Sequence, residues 1–83
     1  MIYEVANSNL FLDTETAIKK WELNSIQTLY CTRKGRYCMV TTNRVNEGEV
    51  YWLKDEKDVV SAFLRNNIVV PIYFQDTLDE LMA

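Results

Sequence analysis

The sequence predicts an α+β fold: one antiparallel β-meander sheet, elements in βαβββαβα order, and helices packed mainly on one face. Three observations carry this. Runs rich in Thr, Tyr, Val, Ile and Trp recur at Ser25 to Thr32, Tyr37 to Thr42 and Glu49 to Leu53, the residue types that suit a pleated, half-buried surface. The polar connections between them, Arg33-Lys34-Gly35-Arg36 and Asn43 to Gly48, hold the two glycines of the chain and have hairpin length. Val59, Val60, Phe63 and Leu64 then recur at helical spacing.

Taken in order, Ile2 to Ala6 reads as a first strand, broken by the polar Asn7-Ser8-Asn9. Asp13 is placed to cap a helix running to about Glu22, with Ala17, Ile18 and Trp21 on one face, Lys19 and Lys20 outward, and Asn24 as its stop. The three meander strands follow. Lys54-Asp55-Glu56-Lys57-Asp58 forms the charged first turn of a second helix, which closes at Asn66-Asn67. Ile68 to Phe74 is β-branched and aromatic, and Pro71, having no N–H to donate, puts this strand at a sheet edge. Asp76 caps a last short helix carrying Leu78, Leu81 and Met82.

Eighty-three residues, 48% hydrophobic and 25% charged, describe one globular domain over residues 1–83. The longest apolar run, Ile68 to Phe74, has seven residues and contains Pro71, so neither a signal peptide nor a membrane span is expected. Without a secretory address the two cysteines read as thiols in a reducing cytoplasm. The net charge of −3 is uneven: about +2 over residues 1–44 and −5 over residues 45–83.

The chain has no histidine, which excludes Ser-His and Cys-His nucleophiles, histidine bases and histidine metal sites. Cys31 and Cys38 cannot alone complete a structural zinc site. Both glycines fall in turns and neither opens a helix, so no phosphate-cradling loop can be written. The paired carboxylates Asp55 with Asp58 and Asp76 with Glu80 are explained by capping and the helix dipole. No enzyme activity, catalytic residue, cofactor or metal is expected.

Binding is the remaining chemistry. If Lys34-Gly35 is a two-residue turn, Cys31 lies opposite Cys38 within disulfide reach, though as reduced core thiols, and Leu29 lies opposite Val40. The other face then shows Tyr30 opposite Met39, Thr32 opposite Tyr37 and Thr28 opposite Thr41. Tyr30, Tyr37 and Met39 form the expected protein-contact surface, unless the terminal helix folds back over it. Glu47, Glu49, Asp55, Glu56 and Asp58 add an acidic patch suited to a partner with a basic groove, such as a nucleic-acid-handling enzyme. Arg33, Lys34 and Arg36 at the hairpin tip, beside Tyr30 and Tyr37, offer an alternative: a grip on nucleic-acid phosphate with aromatics to stack a base. A structural oligomer subunit is the third reading, and so small a core leaves room for a homodimer.

In size, acidity and lack of catalytic groups the chain resembles the small single-domain proteins of phages and mobile elements, anti-CRISPR proteins among them. The resemblance is one of class and attaches to no residue. It implies a stoichiometric inhibitor or adaptor that occupies a partner's surface.

Overall fold

Asn7-Ser8-Asn9 does end the first strand, and it does so by turning the chain back on itself. The computed structural model, which describes residues 1–42 and 48–83, pairs β1 (Ile2–Glu4) antiparallel with β2 (Phe11–Asp13). Asn7 takes φ 58°, a left-handed conformation that asparagine tolerates. Ser8 Oγ donates to the Val5 carbonyl (3.0 Å) and accepts from the Leu10 N–H (3.1 Å).

The helix expected from Asp13 to Glu22 does not form. Asp13 closes β2, and its carboxylate accepts the Glu15 N–H at 3.0 Å in an Asx turn, so the capping oxygen starts a turn instead of a helix. Lys19–Glu22 is β3, which pairs with β4 (Gln27–Cys31). Lysine and glutamate favour helix only weakly, and the ladder offered by β4 overrides them. Three charged side chains on this edge strand discourage pairing with another sheet.

β4, β5 (Tyr37–Thr41) and β6 (Glu49–Leu53) continue the antiparallel meander, giving a sheet of order β3-β4-β5-β6. The β4–β5 register is one residue away from the expected one: Cys31 lies opposite Tyr37, Tyr30 opposite Cys38, and Leu29 opposite Met39. Arg33-Lys34-Gly35 is a three-residue loop closed by the Thr32 N–H to Arg36 carbonyl bond (2.9 Å), with Gly35 at φ 77°. A two-residue loop suited to the strand twist would need Lys34 at positive φ, or a glycine there; the three-residue loop asks this of Gly35 alone. The slip exchanges the faces of one strand relative to the other. Cys31 and Cys38 are therefore buried thiols on opposite faces of the sheet, with no route to pair.

α1 (Glu56–Arg65) starts where Asp55 accepts the Lys57 N–H at 3.0 Å. It ends in a Schellman motif: Asn67 sits at φ 55°, with Asn67 N–H to Leu64 O at 3.2 Å and Ile68 N–H to Phe63 O at 3.0 Å. Ile68 to Phe74 is not a strand. It runs without ladder bonds to Pro71, then makes a 3-10 turn over Ile72–Phe74 that drives Phe74 into the core. α2 (Gln75–Leu81) follows with no side-chain cap; Asp76 lies inside its first turn.

The protein is thus α+β, with both helices on one face of the sheet. Leu29 and Met39 pack there against Val59, Val60, Phe63 and Phe74, with Leu78 and Leu81 at the margin. The other face, expected to be left open, is covered by the β1–β2 hairpin: Val5 and Leu12 pack on Cys38, Val40 and Val50. Ala6 N–H also bonds the Val50 carbonyl at 2.8 Å. The result is helices, sheet and hairpin in three layers.

Candidate functional site

Met39 and Tyr37 face the helices. Met39 is buried, and the Tyr37 ring lies 5.6 Å from Phe74 and stacks on Trp21 at 6.3 Å. Burial pushes the Tyr37 hydroxyl up to about 12, with the neighbouring Cys31 thiol adding to it. Tyr30, on the opposite face, packs against the hairpin core. The three side chains expected to share one contact surface are therefore divided between two covered faces, because the register moved by one residue.

The acidic residues are mostly engaged locally. Asp55 caps α1, Glu56 accepts a hydrogen bond from the Thr77 hydroxyl, and Glu49 accepts one from the Tyr51 hydroxyl. Asp58 lines a cleft of about 430 Å³ between α1 and the sheet, together with Gln27, Tyr51 and Arg65. Glu47 lies outside the described residues.

The basic turn is different. Arg33 and Lys34 are exposed at the loop, and with Arg36 they form one wall of a groove of about 260 Å³. The facing wall comes from the β1–β2 hairpin and its exit: Leu10, Phe11, Asp13 and Thr16, over a floor that includes Val5 and Cys38. Phe11 is 67% exposed, a large apolar side chain presented to the groove with no core to fill. Asp13 is the groove's only acidic group among the described residues. Arg33, Lys34 and Arg36 make no ion pair among the described residues.

Arg36 also reaches a second cleft, of about 290 Å³, shared with Trp52, Lys54 and Glu56. Its guanidinium lies 5.5 Å from the Trp52 ring centre and the Lys54 ammonium lies 5.2 Å from it, so the indole holds two cations by its π face. Burial pushes the Cys38 thiol up, offset in part by Arg36.

Sequence reasoning missed Phe11, Trp52 and Lys54. Leu10-Phe11-Leu12 is an apolar triplet bounded by polar residues, a signal for a short strand that the Asp13 cap obscured. Trp52 and Lys54 gave no separate signal, since only the β5–β6 pairing of Cys38 with Trp52 brings them beside the basic turn.

Among the described residues no group of three or more His, Cys, Asp or Glu could hold a metal ion, and no helix is long and apolar enough to cross a membrane. Compared with protein-family models, with curated proteins and with solved structures, the chain matches none.

Proposed function

We propose that this chain is a non-catalytic module that binds a protein partner, acting stoichiometrically as an inhibitor or adaptor, through the face formed by the β1–β2 hairpin and the Arg33-Lys34-Gly35-Arg36 turn. One observation carries the reading: three cations without ion-pair partners among the described residues stand over a groove with an apolar wall. Apolar surface with adjacent charge outside any ion pair is what a specific interface needs, the first for affinity and the second for orientation and rate of encounter.

The test is capture from an extract of the source organism on immobilised protein, with nuclease treatment of half the sample and a double variant, Arg33→Glu with Arg36→Glu. A protein partner that survives nuclease and is lost with the variant is the expected result. Asp58→Ala, at the other cleft, leaves capture unchanged. A partner retained equally by both variants would place the interface elsewhere. Nucleic acid released by moderate salt would favour the second reading, direct nucleic-acid binding, for which the Arg36–Trp52–Lys54 cluster is the supporting feature.

A further inference from the structure

We infer that the groove takes a short acidic segment of the partner protein, an extended stretch in which carboxylates flank an apolar side chain. This rests on the binding reading above and names its chemistry. Three features of the groove select such a ligand.

Charge comes first. Among the described residues Arg33, Lys34 and Arg36 face a single carboxylate, Asp13, across the groove, so the wall is a net positive site in a protein of net charge −3. Arginine forks match carboxylates in bidentate geometry. Shape comes second: Leu10 and Phe11 on the facing wall and Val5 in the floor are apolar, and only a ligand with a hydrocarbon side chain removes that surface from water. The third feature concerns what the site refuses. A nucleic acid offers phosphates and flat bases, but Val5, Leu10 and Phe11 line the groove with hydrocarbon that phosphates cannot cover. Trp52, the indole nearest the basic turn, lines the neighbouring cleft and not this groove. A long polyanion also meets the remaining acidic surface, whereas a segment of a few residues meets the groove alone.

The probe is a synthetic peptide, Glu-Leu-Glu-Phe-Glu-Leu-Glu, titrated into isotopically labelled protein and followed by amide NMR shifts. The controls are the same peptide with lysine in place of every glutamate and a single-stranded oligothymidine of about 12 nucleotides. The acidic peptide is expected to shift Phe11, Thr16, Arg33, Lys34 and Arg36. Its affinity should fall about tenfold or more between low and high salt, as for exposed charges, and about tenfold or more with Arg33→Glu. Phe11→Ser, at an exposed position that leaves the spectrum folded, weakens it several-fold.

Absence of shifts, shifts centred outside the groove, equal binding of the lysine peptide, or tighter binding of oligothymidine to the same residues would each overturn the inference. The failures are separable. If the extract partner is still lost with the Arg33→Glu, Arg36→Glu protein while the acidic peptide does not bind, the binding function stands and the acidic-segment chemistry falls.

Discussion

Tyr37 keeps its proton because its ring is wedged between Trp21 and Phe74, beside the Cys31 thiol, where a phenolate would be poorly solvated. The sign of the consequence follows from the two states. Below the ordinary tyrosine value near 10, Tyr37 is protonated in folded and unfolded chains alike and contributes no pH dependence. Between about 10 and about 12 the unfolded chain loses the proton and the native protein retains it, so stability falls as pH rises through that window. Cys38, also raised by burial, starts the decline earlier, from the ordinary thiol range. Urea unfolding at pH 8, 9, 10 and 11 should show this slope, and Tyr37→Phe should flatten its upper part. An unchanged slope in Tyr37→Phe would mean that the hydroxyl is solvated in the native state. A single glycine accounts for the main misreading at this scale. A two-residue Lys34-Gly35 turn asks positive φ of Lys34, whereas the three-residue Arg33-Lys34-Gly35 turn asks it of Gly35 alone, and Gly35 is where it occurs. Everything inferred from the pairing, including the Tyr30, Tyr37 and Met39 surface, depended on that one dihedral.

The meander strands and α1 were legible because their signals are strong and local: β-branched and aromatic runs between glycine turns, and apolar helical spacing between Asp55 and Asn67. β3 and the Ile68–Phe74 segment were not. Lys19–Glu22 becomes a strand because β4 is available to pair with it, and Ile68 to Phe74 instead runs to Pro71 and turns Phe74 into the core. Propensity carries neither fact. The hairpin was half legible, its break at Asn7-Ser8-Asn9 visible and its return strand hidden. Each core nevertheless has a buried side chain at its centre, Phe63 beneath the helices and Leu12 beneath the hairpin. Phe63→Ala should cost about 3–5 kcal/mol and Leu12→Ala about 2–5 kcal/mol, read from urea midpoints. A Leu12→Ala shift no larger than that of exposed Phe11→Ala would show that the hairpin does not seal the second core.

At the scale of the whole molecule, the sequence named the basic tip as a candidate but could not show what stands across from it. The groove exists because the hairpin, a segment remote in sequence, lies over the far face of the sheet and brings Leu10, Phe11 and Asp13 to Arg33 and Lys34. Charge bookkeeping by halves likewise misled: the acidic second half supplies Lys54 to the basic cluster, and Glu56 shares a cleft with Arg36. Two poles in the sequence have become neighbours in space. The placement of the thiols turns this layering into a measurement. Both thiols are buried, Cys31 on the helix face of the sheet and Cys38 on the hairpin face, at the floor of the groove. In Cys38→Ala and Cys31→Ala proteins respectively, labelling in rising urea times the departure of each cover. The hairpin, with three-residue strands, should leave first, so Cys38 reacts at lower urea than Cys31; coincident profiles would mean the layers melt as one. A partner seated in the groove slows labelling of Cys38 and leaves Cys31 untouched, so the molecule carries its own footprinting reagents on either side of a single sheet.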